Sequence, residues 1–408
     1  MKKYVFLTEI LSGLTGTPRY VNNKCRMLRE SGWEPIVFWN YNIAPIELEH
    51  LKCFDYSEFI HHELKFYPSW FSNRKRDKIL NRLVAIIGAA DQIVLESNKF
   101  ELCAWGELLA NKLKCKHICF ITTEQIRINN KGTYVFCLTK LKKGEFYTIS
   151  EAAINYLFSN FDTIEHPENC YWDALQGVEV KSYPFPLFDN LPSADFTITS
   201  FGRRKDYFPY MLDELMHFIS QHSDKMFNVF FLGGLSYETD VTDYLSLNNV
   251  HLAICPHEVE IIPQQIFDRS DLIIATAGCA YLSAANGGKT ISMDVNRNVP
   301  LGFLRYTTLD INTFSGQYEN KKSLSDWLQV LLIDKESFKP IEEQRTLHGF
   351  EYQMMDIDKC DYNYIDSINV EEKMTRHDGL FKFLVKIGLY HVVEYMYYKR
   401  RGVKIIKR

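Results

Sequence analysis

The chain has 408 residues, with 47 basic against 51 acidic side chains, a formal charge of −4, 46% apolar residues and 24% charged ones. That length exceeds one ordinary core and calls for two domains of common size, in the proportions of a globular protein. It excludes a disordered chain, a repeat fibre and a wholesale nucleic-acid binder, which would need a clear basic excess to neutralise phosphates.

In chain order, residues 4–7 form an apolar run that suits a buried strand and is too short for a signal peptide. Residues 11–18 supply turn residues, and Pro18 suits a first helical turn. The spacing of Tyr20, Val21, Cys25 and Leu28 then predicts a helix stopped by Ser31-Gly32, and residues 34–39 predict a second strand. A βαβ unit of this length opens a doubly wound, parallel α/β domain. The alternation continues with strand 92–96, helix 100–112, strands 117–122 and 146–150, and a helix from Glu151 behind a Ser150 cap.

Residues 181–194 hold Pro184, Pro186 and Pro192 and predict a linker, with the hinge at 186–194. Strands 196–202, 227–232, 250–254, 271–275 and 289–294 then alternate with helices 207–220, 262–269 and 280–286. Two consecutive Rossmann-like α/β domains, 1–185 and 195–340, are expected to face a cleft, with an extension over 341–408. Ligands in such sheets bind beyond the carboxyl ends of the strands, where the glycine turns fall.

Three stretches invite chemistry. The loop 13–17, including Gly16 and Thr17, joins a strand end to a helix start, where backbone N–H groups hold phosphates or polar acceptors, although it lacks both the Gly-x-Gly-x-x-Gly and the Gly-Lys-Ser/Thr patterns. Gly202-Arg203-Arg204-Lys205 places three cations after a strand end, where Arg offers phosphate a bidentate fork and Lys a point charge. Residues 276–290 combine Thr276, Gly278 and Cys279 with small residues that let a helix N-terminus approach a diphosphate closely.

The two α/β domains, the Pro-rich hinge, the glycine loop after the first strand, Phe201-Gly202-Arg203-Arg204-Lys205, Phe231-Leu232-Gly233-Gly234, and Asp271-Leu272-Ile273-Ile274 leading to Gly278 and Ala284-Ala285-Asn286-Gly287 together resemble the GT-B glycosyltransferases of bacterial surface polysaccharide (capsule and lipopolysaccharide) biosynthesis. The resemblance covers roughly residues 1–300. It implies a nucleotide-sugar donor in the second domain and a saccharide or lipid-linked acceptor in the first. By position, Arg203 and Lys205 would neutralise the donor diphosphate, Gly278 and Cys279 would present N–H groups to it, Gly233 and Thr276 would line it, and His257 and Glu258 would meet base and ribose.

The chain departs from the family at Ala275 and Ser283, where many retaining members carry paired glutamates. An inverting mechanism needs one general base, for which Glu9, Glu96 and Glu124 are candidates; Glu9 leads because it adjoins the glycine loop. Gly16, Thr17 and Glu96 are expected on the acceptor side. Asp356-Ile357-Asp358 has the form of a GT-A metal motif but lies far from any opening nucleotide-binding unit, so neither a metal nor a cofactor beyond the donor is inferred. A pyruvyl transferase, a nucleotide-sugar epimerase or an inactive partner subunit remain open on the same architecture.

Ten cysteines lie mostly in apolar stretches, as reduced thiols do, and Cys115, His117 and Cys119 lack the second ligand pair of a structural zinc site. With no run of about 18 apolar residues to span a bilayer, a cytoplasmic protein is expected. The charge is unevenly spread. Residues 399–408 carry six basic side chains and no acid, leaving 41 basic against 51 acidic, or −10, over the first 398. With the amphipathic spacing of Phe381, Leu384, Val385, Leu389, Val392 and Tyr395, this tail predicts a helix over 380–398 that lies on an anionic membrane face, docks on the first domain, or docks there while the final ten residues touch lipid.

Overall fold

The computed structural model describes residues 1–9, 16–40, 61–123, 126–161, 170–202, 207–233, 241, 247–255, 259–294, 298–311, 322–342 and 349–400. The chain forms two compact units, Met1–Gly177 with Leu347–Arg408, and Val178–Thr346. It leaves the first unit at Gly177, which packs on Asn23 and Met27, rather than at the expected hinge. Residues 186–194 instead begin as a short helix whose Phe188 is buried on Phe230 in the second unit.

In the first unit, β1 (Lys2–Thr8), α1 (Gly16–Glu30), β2 (Trp33–Trp39), α2 (Asn73–Ile87), β3 (Gln92–Ser97), α3 (Phe100–Leu113), β4 (Lys116–Ile121), α4 (Lys131–Lys142), β5 (Phe146–Thr148) and α5 (Glu151–Phe158) follow one another. The sheet is parallel throughout, ordered β2-β1-β3-β4-β5. Its strands are apolar on both faces because both are covered. Val5, Leu7, Ile36, Phe38 and Leu95 point into one core, and Tyr4, Phe6, Val37, Trp39 and Val94 into the other. Ser150 caps α5 by accepting from the Ala153 N–H, as its sequence predicts.

The second unit runs β6 (Val180–Lys181), α6 (Pro186–Asp189), β7 (Phe196–Phe201), α7 (Phe208–Gln221), β8 (Phe227–Leu232), β9 (Val250–Cys255), β10 (Ile262–Pro263), α8 (Gln264–Arg269), β11 (Leu272–Ala275), α9 (Ala277–Ala285), β12 (Thr290–Asp294), β13 (Val299–Phe303) and α10 (Leu324–Leu328). Its main sheet is ordered β13-β12-β11-β7-β8-β9, with β13 antiparallel on the edge. This is the order of a dinucleotide-binding sheet, as that of the first unit is flavodoxin-like. Both units are Rossmann-like α/β layers.

The C-terminal segment returns to the first unit. α11 (Phe350–Lys359) buries Ile357 on the face covered by α1, while α12 (Asp378–Lys386) and α13 (Tyr390–Arg400) bury Phe381, Val385 and Val393 on the opposite face. The helix expected over 380–398 is two helices. Gly388, at φ +93°, ends α12 in a Schellman turn, its N–H bonding the Val385 carbonyl while the Leu389 N–H bonds that of Leu384.

Candidate functional site

Each sheet reverses its winding at one point, and there the strands part at their carboxyl ends to leave a crevice. In the second unit that point lies between β7 and β11, where Phe201 pairs with Ala275. Gly202 and Thr276 therefore emerge side by side. Gly202 has φ +124°, and a Cβ there would stand 3.2 Å from Cys279 Sγ, so only glycine leaves this corner open. Ala277 opens α9 at φ +49°, a left-handed conformation costing a non-glycine residue about 1 kcal/mol. Its N–H donates to the Ile311 carbonyl, which holds the strained turn in place. Gly278 and Cys279 follow in the first turn of α9, whose N–H groups have no intrahelical acceptors and which carries no acid.

Thr276 plays a different part from the expected donor contact. Its hydroxyl is buried and donates to the Met293 carbonyl at 2.7 Å, so it positions the turn between β11 and α9. The small residues farther along α9 are needed for packing. A Cβ on Gly288 would lie 2.5 Å from Ser283 Oγ, and that hydroxyl bonds Thr290 Oγ1 at 2.7 Å. Gly233 follows β8 at the same carboxyl edge and is partly exposed. Arg203, Lys205, His257 and Glu258 lie outside the described residues.

In the first unit the winding reverses between β1 and β3. Glu9, just past β1, is partly exposed and pairs with Lys99 at 2.5 Å. Gly16 starts α1 at φ +59°, and the Thr17 and Thr122 hydroxyls are hydrogen-bonded, tying α1 to the chain just past the end of β4. Glu124 lies outside the described residues. Sequence reasoning missed three neighbours on this edge. Thr8 Oγ1, Asn40 Oδ1 and Asn98 Oδ1, at the ends of β1, β2 and β3, are buried without a hydrogen-bond partner among the described residues. Like Ser97, they are buried and present no surface to a ligand.

Glu96 is not on this surface. It is fully buried, accepting hydrogen bonds from Lys24 Nζ at 2.7 Å and Tyr4 Oη at 2.6 Å, with Tyr20 Oη at 3.2 Å. Lys24 Nζ also lies 4.3 Å from the centre of the Trp172 ring. Burial drives the Lys24 pKa down against the pull of Glu96, and burial together with the Glu96 charge raises those of Tyr4 and Tyr20. The acceptor role expected for Glu96 is thereby corrected to an internal ion pair.

A second buried network lies beneath α3. Ser97 Oγ contacts His117 Nε2 at 3.0 Å, His117 Nδ1 contacts Glu107 at 2.7 Å, and Lys140 bridges Glu107 and Glu145 at 2.6 Å each. The first three residues have the order of a hydrolytic triad, yet Ser97 is wholly buried and no substrate reaches it. Burial, then the Lys140 charge, lowers the His117 pKa to about 4. Burial alone would raise Glu107, but its bonds to His117 and Lys140 outweigh it and hold that carboxyl at about 2. The two aspartates of the Asp-x-Asp sequence have separate partners, Asp356 accepting from Trp172 Nε1 and Asp358 facing Lys116. A cavity of about 630 Å³ lined by Asn111, Lys114 and Tyr362 to Tyr364 opens near the amino end of β4, the edge opposite to the strand-end crevice.

No protein-family model and no curated protein matches the chain. Among solved structures, a glycosyltransferase from Rickettsia africae is similar at 14% identity and TM-score 0.49, over 95% of this chain and 100% of that one. MurG of Acinetobacter baumannii is similar at 14% identity and TM-score 0.41, over 72% and 78%. A Methanocaldococcus jannaschii UDP-GlcNAc 2-epimerase, in complex with UDP-GlcNAc and UDP, is similar at 14% identity and TM-score 0.38, over 83% and 95%. Likeness at this level assigns no reaction, substrate or residue role to this chain.

Proposed function

We propose that the chain is a glycosyltransferase that moves a sugar from a nucleotide-sugar donor to a carbohydrate or lipid-linked acceptor, without a metal, in the assembly of a bacterial surface polysaccharide. The observation that carries this reading is the close approach of Gly202 to Cys279 in the first turn of α9, where a Cβ would stand 3.2 Å from the thiol sulfur. A diphosphate seated there would face the N–H groups around Gly278 and Cys279 and the positive end of the helix dipole. Arg203 and Lys205 come directly after Gly202 in the chain and supply the neutralising cations, while His257 and Glu258 follow β9 closely enough to meet the nucleoside.

In the first unit Glu9 is the general base and Lys99 keeps its carboxylate oriented. The acceptor hydroxyl loses its proton to Glu9 as its oxygen attacks the anomeric carbon, and the bond to the nucleoside diphosphate breaks as the leaving charge settles on the cations and α9. One observation favours a second reading, an inactive partner subunit: Ala275 and Ser283 stand where retaining relatives carry carboxylates, and the Ser283 hydroxyl is taken up by Thr290.

Thermal melts with UDP, GDP, ADP and CMP test the donor site, since a ligand bound only by the folded state raises the midpoint. The matching nucleotide sugar should release nucleoside diphosphate in the presence of acceptor. Glu9→Ala should lower kcat about a hundredfold while leaving the nucleotide-induced shift intact. Arg203→Ala should raise the donor KM about tenfold, the loss of one charge-assisted contact. Absence of any nucleotide shift overturns the proposal, and sugar conversion without diphosphate release indicates the epimerase.

A further inference from the structure

We propose that the outer face of the α12–α13 hairpin is a docking surface for an anionic lipid bilayer. The proposal stands independently of the glycosyl-transfer reading. The structure sorts the apolar residues of this region into two sets. Phe381, Val385 and Val393 are buried in the first unit's core, whereas Leu380, Phe383 and Ile387 of α12 and its end project outward at i, i+3 and i+7. Val392, Tyr395 and Met396 do the same on α13, and Leu389 lies exposed in the turn between them. Seven of the fourteen large apolar side chains exposed among the described residues therefore fall within positions 380–396. The helix pair has already satisfied its packing against its own domain through Phe381, Val385 and Val393, so the many exposed apolar side chains on it call for an external partner.

Charge decides which partner. Glu394, the acid of α13, is turned inward onto Lys65 at 2.6 Å and His62 at 3.0 Å, and the Asp378 carboxylate is taken up by the Met374 and Thr375 N–H groups. Lys386 is exposed beside the apolar residues. The chain then continues into Lys399, Arg400, Arg401, Lys404, Lys407 and Arg408 with no acid among them. An apolar face joined to a cationic run complements a surface of anionic headgroups over acyl chains. A second copy of this chain would set like charges against one another, which disfavours self-association through the same face.

Flotation of the full chain with vesicles of one part phosphatidylglycerol to two parts phosphatidylcholine tests this, with pure phosphatidylcholine as the control. About tenfold more protein should float with the anionic vesicles, and added salt should weaken the association. Phe383→Ser with Ile387→Ser should abolish flotation while the circular dichroism and thermal midpoint stay as in the parent chain, because both side chains are exposed. Replacing Lys404, Lys407 and Arg408 by Gln should remove the preference for anionic lipid without touching any described contact. Equal flotation of the Phe383/Ile387 variant would overturn the proposal. So would a parent chain that ignores both vesicles and sediments as a dimer that this variant dissociates.

Discussion

The two units solve one topological problem with opposite materials. Among the described residues, the carboxyl edge of the second unit's sheet presents small, uncharged groups: Gly202, Ala277, Gly278 and Cys279 around a strained but side-chain-poor turn. The corresponding edge of the first unit carries Glu9 paired with Lys99, and behind it the interior is held by buried charges, Lys24 with Glu96 and Lys140 with Glu107 and Glu145. Among the described residues of the second unit, by contrast, the ion pairs are at the surface, as Arg269 with Asp189 and Lys181 with Glu179. On the proposed reading, the crevice that would let backbone come close to an anion excludes bulk, whereas the one that would move a proton carries a carboxylate and a lysine to orient it.

The contrast breaks most visibly at Lys24. Lys24→Met leaves the Glu96 carboxylate buried without its cation, which costs about 3–5 kcal/mol, so denaturant melts should show the first unit lost and the second retained. Lys24→Met combined with Glu96→Gln should recover most of that loss. A smaller effect sharpens the comparison through glycine. A Cβ on Gly106 would stand 2.4 Å from both His117 Nε2 and Ser97 Oγ, so Gly106→Ala should cost about 1–3 kcal/mol of stability without bearing on nucleotide binding. Gly202→Ala should do the reverse, weakening the nucleotide-induced shift in midpoint more than it lowers the midpoint itself.

A further contrast is in pH. His117 titrates at about 4 in the fold against an ordinary 6.5, so the native state binds fewer protons than the unfolded one between those values. Stability of the first unit should therefore be full above pH 6.5 and decline as pH falls towards 4. Glu107, at about 2 against 4.5, adds a second loss below pH 4.5, partly offset by Glu145, whose burial raises it. Urea midpoints measured from pH 7 to 4 should fall for the first unit and stay flatter for the second.

The strand–helix alternation was legible because parallel strands covered on both faces read as unbroken apolar runs, as in residues 227–232. Helix α4 left little trace, since Tyr134, Phe136 and Leu138 alternate with Val135 and Cys137 and give no one-sided stripe. The placement of Gly202 at a strand end and of Gly278 and Cys279 in a helix's first turn was legible from strand-end glycines and a small-residue helix start. The fate of Glu96 was not, because a carboxylate near a strand's carboxyl end reads alike whether it faces solvent or a lysine 72 positions away. Thr8, Asn40 and Asn98, whose side-chain oxygens have no partner among the described residues, end neighbouring strands only through the β2-β1-β3 order, which no local pattern encodes.

The return of the C-terminal segment has a consequence in time. Ile357, Phe381, Val385 and Val393, all on helices, fill both cores of a unit whose strands are all made before Gly177. During synthesis at roughly 5–20 residues per second, the nascent first unit waits about ten to thirty seconds while the second emerges and folds. Over that interval its sheet stands with both apolar faces incompletely covered, so the portion of the protein made first is the portion finished last.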